Sequence, residues 1–401
     1  MQPTRFALAT TAISLLTAMA LGQKPTPRTA ASGGNRGKDT SPAAIHTAIE
    51  KGVRFLVTTQ NQNGSWGTPA PTFICDVWSP VPSCFETYEV AVSAMAVSAL
   101  LEVGHGQLGV RRAIRRGADY LLARHPARRV EPGHLYNNWA HCYALEAFAR
   151  LLAEEKDKSR QALYRRAAKI EIDRLVRYEY VDGGWGYYDF SQRTARPGKG
   201  STSFMSATAL VALRLAADQG IKVPRRLVKR ATAIIAASRG ADDSFAYSYS
   251  SLLRPHNPLR VGVSHKKGSL ARTPACLLSL HQWGQPITQA RFKKSLDDLE
   301  KHGHFLLIAR KYPFPHEIWY QNSGYFVFYG YHYAAMVAEL LPKSDRALAS
   351  KQIAGHLLPL QEPDGCWWDY QLFGYHKTYG TAYVLMTLGR CKSGLEQLTN
   401  R

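Results

Sequence analysis

Glu89 and His141 are the residues of this chain best suited to moving a proton, because a carboxylate that orients an imidazole makes a general acid or base near neutral pH. Both stand near the start of an apolar segment. Other polar and aromatic side chains do the same: Asn138, Ser203, Arg272 and Asn322, then Tyr325, Tyr331 and His332, and His376 with Tyr379. Brought around one space, this set lines a pocket with a few hydrogen-bonding groups among aromatic faces. The competing reading is that Glu89 and His141 each satisfy a buried hydrogen bond. Residues 319–333 concentrate aromatic rings whose faces attract cations and whose rims suit sugars, although an aromatic stripe at helical spacing also serves as plain core.

Helices must position these residues. Ile45, Ile49, Val53 and Leu56 recur at helical spacing and form one apolar stripe, whereas the segment 88–101 is apolar all round and has to be buried on every side. The alternation returns at a period of about 50–65 residues: 111–124 with 139–152, 161–178 with 204–216, 225–237 with 270–281, 289–308 with 325–341, and 344–360 with 379–388. Six pairs, polar outside and apolar inside, predict an all-α chain in which two concentric rings of helices form an α/α toroid. The starts of the inner helices then face a central cavity. An open solenoid is the rival arrangement, but no capping repeat is visible at either end.

The turns between paired helices carry a motif of their own. One reads Gln60-Asn-Gln-Asn-Gly64-Ser-Trp66-Gly67, another Asp182-Gly183-Gly184-Trp185-Gly186, a third Gln361-Glu-Pro-Asp364-Gly365-Cys-Trp367-Trp368, and residues 242–247 are a degenerate copy. Glycine supplies a left-handed turn after the outer helix, the glutamine amide bonds free backbone groups, and tryptophan plugs the gap between neighbouring pairs. Over residues 42–393 this pattern resembles the Gln-Trp repeats of squalene and hopene cyclases and the Gly-rich turns of protein prenyltransferase β subunits, that is, the prenyltransferase/squalene oxidase repeat of the terpenoid-cyclase superfamily.

The resemblance implies a toroid with an aromatic central cavity that binds an apolar or isoprenoid-like ligand, and it leaves catalysis open. Cyclases of this kind protonate their substrate with an Asp-x-Asp-Asp tetrad whose central carboxyl stays protonated in an apolar site. Here only Asp242-Asp243 and Asp297-Asp298 are adjacent, so Glu89, Asp76 or Asp189 would have to substitute. Prenyltransferases hold zinc through an Asp-x-Cys pair and a later His. Asp364, Cys366 and His376 match those letters, but the pair falls inside a turn and no further repeat follows, so neither zinc nor any other cofactor is expected. The alternative function is a polysaccharide lyase-like or glycan-binding toroid acting on acidic polysaccharide, with Asn138, His141 and Arg272 at its groove. A non-catalytic envelope scaffold is a further alternative.

The domain organisation follows from composition. Residues 1–22 combine Arg5, an apolar run and a small-residue end, which predicts a signal peptide and a periplasmic or secreted protein. Residues 23–42 are polar and rich in Pro, Gly and Ser, a linker; 43–393 form the toroid and 394–401 a C-terminal tail. Export makes a Cys75–Cys84 disulfide the expected staple of its loop, with Cys142, Cys276, Cys366 and Cys391 as buried thiols. With 51 Lys and Arg against 30 Asp and Glu, the net charge is +21. Its partners are either solvent alone or an anionic envelope surface or acidic glycan; no nucleic-acid-binding motif is present.

Overall fold

Ser41 accepts a hydrogen bond from the Ala44 N–H at 3.2 Å and Pro42 occupies the first turn, so helix α1 (Pro42–Thr58) begins at a capped start. The computed structural model describes residues 39–72, 82–127, 137–187, 200–248, 262–310 and 314–399. The expected signal peptide, the linker up to residue 38, Cys75, Asp76, Asp189 and the Cys84 side chain lie outside the described residues. From Asp39 onward the chain is one compact unit.

The outer helices are α1, α3 (Val110–Arg124), α5 (Lys158–Arg177), α7 (Arg225–Ala237), α9 (Gln289–His302) and α12 (Lys343–Leu357). The inner helices are α2 (Pro82–Val103), α4 (Asn137–Glu154), α6 (Ser203–Asp218), α8 (Arg272–Gln282), α11 (Val327–Ala338) and α13 (His376–Thr399). Each inner helix packs on the next, and α13 packs back on α2, so the inner ring closes. The architecture is therefore an α/α toroid and not an open solenoid. Among the described residues the only β-type pairings are isolated bridges.

Three expected boundaries move. The segment 289–308 breaks at Gly303 into α9 and the short α10 (His304–Ala309). Tyr325 precedes α11 in a 3₁₀ turn, Gly324–Phe326. The expected tail from 394 is helical as far as Thr399, because Leu395 packs on the core and Gln397 accepts from Arg346 at 3.0 Å. No described helix is long and apolar enough to cross a membrane.

The turns explain how the pairs lock together. Trp66, Trp185 and Trp367 are fully buried, and each indole N–H donates to a carbonyl ten residues earlier, of Leu56, Leu175 and Leu357, at 2.7–2.9 Å. Each Trp backbone N–H donates to a hydroxyl on the following inner helix, Ser93, Ser206 or Thr381. The Gln60 amide reaches the Ala113 carbonyl on the next outer helix, and Gln361 reaches Ala48 in α1, so the last turn stitches the end of the ring to its beginning. The middle copy carries Glu179 in place of Gln and pairs with Arg230 on α7 at 2.5 Å. Gly365 has φ +88°, and a Cβ there would sit 2.6 Å from the Lys51 carbonyl oxygen; Gly64 is placed in the same way against Arg116. Only glycine fits both the left-handed backbone and the close approach.

Candidate functional site

The starts of the inner helices surround a cavity of about 290 Å³. Its wall repeats an aromatic stripe at helical spacing: Trp139 and Tyr143 on α4, Tyr325 and Tyr329 entering α11, Tyr379 and Tyr383 on α13. Tyr88, Val92 and Met95 of α2 complete one side. Among the described residues that line it there is no carboxylate, ammonium or guanidinium, and His316 is the one imidazole.

The hydroxyls of Tyr143, Tyr187, Tyr247, Tyr329 and Tyr383 turn towards one another and towards the protein. Tyr143 and Tyr383 share a very short hydrogen bond, Tyr187 and Tyr247 one of 2.6 Å, and the Tyr329 hydroxyl lies between Thr208 Oγ1 at 3.1 Å and the Phe204 carbonyl at 3.2 Å. Burial pushes the phenols of Tyr143, Tyr329, Tyr379 and Tyr383 well above their ordinary range, so they stay neutral. With these hydroxyls paired, their rings face the space and give that part of the wall an apolar surface with a negative π-face potential.

One carboxyl is coupled to the cavity. Asp369 is fully buried, accepts from the Tyr379 hydroxyl at 2.5 Å and the Tyr370 N–H at 2.8 Å on Oδ1, and accepts from the Phe328 N–H at 3.1 Å on Oδ2. Burial pushes its pKa up to about 6, against the hydrogen bonds and the nearby Arg310, which favour the anion. Asp369 thus holds a proton within reach of neutral pH and touches the cavity through Tyr379.

The Glu89–His141 pair is not formed. The ring nitrogen Nδ1 of His141 lies 2.7 Å from Glu171 on α5, and His125 lies 3.2 Å from the other oxygen of that carboxylate. Burial alone would raise the Glu171 carboxyl, but the two imidazoles overcome it and hold the pKa below the usual range. His141 is two positions from both Trp139 and Tyr143, so it projects from the opposite side of α4, away from the cavity. Glu89 is half-buried, with the Asn63 amide at 3.5 Å.

Among the other expected cavity residues only Tyr325 and Tyr379 line it. Asn138 donates to the Gly186 carbonyl at 2.9 Å and Ser203 to Ala246 at 2.7 Å, each tying an inner helix to a turn. Arg272 is buried, its pKa lowered by burial to about 10, and it donates to the carbonyls of Phe245, Gly268 and Val263. Asn322 bonds the Lys267 carbonyl and Glu317. Tyr331 stacks on His356 of α12, outside the inner ring. His332 does not line the cavity but packs against Tyr383, and burial together with Arg390 and Arg150 keeps it neutral.

The zinc-like letters are dispersed into structural bonds. Asp364 pairs with Lys377 at 2.6 Å, burial pushes the Cys366 thiol up, and His376 Nδ1 faces the Phe373 carbonyl at 2.6 Å. Among the described residues no group of three or more His, Cys, Asp and Glu is arranged to hold a metal ion.

No family model matches this chain. No curated protein matches it by sequence. Solved structures do match in fold. A variant of type II terpene cyclase MstE from Scytonema, in complex with its substrate geranylgeranyl dihydroxybenzoate, superposes with a TM-score of 0.53 at 14% identity, over 88% of this chain and 99% of that one. A D-mannose isomerase matches with a TM-score of 0.52 at 14% identity, over 89% and 98%. An inactive variant of the alpha-1,6-mannanase of Salegentibacter sp. HEL1_6, in complex with alpha-1,6-mannotetrose, matches with a TM-score of 0.53 at 9% identity, over 86% and 98%. At these identities the likeness is one of fold: this chain shares the α/α toroid with a terpene cyclase and with proteins named for mannose and mannan.

Proposed function

We propose that the toroid binds an apolar, isoprenoid-like small molecule in its central cavity. The observation that carries this reading is the wall itself: aromatic rings from α2, α4, α11 and α13 face the space, the hydroxyls of Tyr143, Tyr187, Tyr247, Tyr329, Tyr379 and Tyr383 are hydrogen-bonded within the protein, and none of the described residues lining it carries a carboxylate, ammonium or guanidinium. A glycan needs hydrogen-bond donors and acceptors aimed inward to replace its lost water, and a site that leaves them unpaired rejects it. An isoprenoid needs only shape and apolar area, worth about 25 cal/mol per Å² buried, and its unsaturated carbons suit π-faces. The terpene cyclase among the similar folds is known with a geranylgeranyl compound bound, which agrees with this choice.

Asp369 is the proton-holding group of this reading. Acting through the Tyr379 hydroxyl, it connects the cavity to a carboxyl with a pKa near 6. Residues 1–22 are read as an export signal, so Edman sequencing of the protein from its native envelope should begin within a few residues of Gly22.

The direct test is extraction of the natively purified protein with organic solvent and with water, followed by mass spectrometry. A stoichiometric isoprenoid or other apolar compound supports the reading. A mannose-containing oligosaccharide in the aqueous extract would replace it with the glycan-acting alternative.

A further inference from the structure

The charge of the outer ring is one-sided. Helix α3 carries five basic and one acidic residue, α5 seven and two, and α7 four and none, an excess of thirteen positive charges on three consecutive outer helices. The other three, α1, α9 and α12, carry an excess of four. Most acidic side chains near the basic arc are already engaged: Asp119 with Arg160, Glu155 with Arg115, Glu179 with Arg230, and Glu171 with His141 and His125, which leaves the exposed Asp173 on α5 as the exception. Arg111, Arg112, Arg166, Lys169, Arg225 and Arg226 are exposed, and none has an acidic partner within 4 Å among the described residues. Like charges this close repel, so holding them without partners costs stability that an anionic ligand would relieve.

We infer that the α3–α5–α7 arc is a binding surface for a flexible anionic polysaccharide. The three helices lie on the outside of a closed ring, so their charges follow a convex wall. A flat bilayer touches such a wall along a line, and duplex DNA, stiff over about 150 base pairs, touches it tangentially. A flexible chain can follow it. No exposed aromatic side chain lies on the arc, since the exposed Phe314 and Trp319 belong to a different loop, so the stacking platforms of single-strand nucleic-acid binding are missing. The arc is rich in arginine, whose planar fork pairs with carboxylate and sulfate groups in two hydrogen bonds. This surface is remote from the cavity wall and does not depend on what the cavity binds.

The experiment uses the full chain and a fluorescently labelled heparin oligosaccharide, with binding followed by anisotropy at several salt concentrations. The wild-type protein should bind with an affinity that falls steeply as salt rises. Replacing Arg111, Arg112, Arg166, Lys169, Arg225 and Arg226 by Gln should weaken binding by about tenfold or more through the lost contacts to sulfate and carboxylate groups and the counterions they release. Replacing the same number of basic residues on α1, α9 and α12 should change it less than about twofold. Helical circular dichroism and the melting temperature establish that both variants are folded. Equal losses in the two variants, or no binding by the wild type, would overturn the assignment. So would tighter binding to duplex DNA or to phosphatidylglycerol vesicles than to heparin.

Discussion

At Asp369 burial and hydrogen bonding act in opposite directions. Burial wins and places the carboxyl near pKa 6, above its unfolded value of 3.8. Between those values the native state holds the proton more tightly than the unfolded chain, so this group's contribution is complete below about pH 4 and is lost as pH rises through 6. The loss amounts to about 2–3 kcal/mol. In Asp369→Asn the new amide N–H₂ would face the Phe328 N–H that Oδ2 now accepts from, leaving a donor unpaired at a cost of about 1–3 kcal/mol. Urea denaturation from pH 4 to 7 should therefore show the variant less stable at pH 4, with the gap narrowing as pH rises. A gap independent of pH would refute the assigned protonation. His141 gives the contrasting case. His141→Ala leaves the buried Glu171 with His125 alone and should cost about 3 kcal/mol or more in stability. Ligand affinity of the cavity should be unchanged in the folded variant; a loss of affinity at unchanged stability would restore His141 to the site.

At the scale of elements, the turns decide whether neighbouring helix pairs register. Gly106 and Gly365 both have a left-handed backbone, but a Cβ on Gly106 meets nothing within 4 Å and one on Gly365 meets the Lys51 carbonyl. Gly106→Ala should cost about 1–2 kcal/mol from backbone conformation alone. Gly365→Ala should cost about 1–3 kcal/mol more, because it also forces α1 away from the last turn. Chemical denaturation of both variants measures the difference, and equal costs would show that the last turn does not hold the ring closed. These turns were legible in the sequence because Gly and Trp act within one short segment, and their spacing repeats. The cavity wall was only half legible. Tyr325 and Tyr379 were found and Tyr329 lay in the aromatic run 319–333, but Trp139, Tyr143 and Tyr383 mark the same stripe inside segments that are apolar all round, where the signal is hidden. Asp369 could not be seen at all, since its partners come from residues 328, 370 and 379 and meet only in the folded ring.

At the scale of the whole molecule, ring closure converts six amphipathic pairs into one enclosed space. The alternation of polar and apolar helices foretold the toroid, and the Gln361–Ala48 bond and the α13–α2 packing complete it. The identity of the occupant rests on the lack of charge among the described residues of the wall and on the internally paired hydroxyls of Tyr143, Tyr187, Tyr247, Tyr329, Tyr379 and Tyr383. Isothermal titration calorimetry with geranylgeraniol and with mannotriose, on the wild type and on Ala91→Phe, whose new ring would fill part of the cavity, tests this most directly. The expected result is saturable binding of the isoprenoid with a negative heat-capacity change from buried apolar surface, lost in Ala91→Phe, and no binding of the sugar. Saturable mannotriose binding that Ala91→Phe abolishes, or isoprenoid binding that the substitution leaves intact, would contradict it.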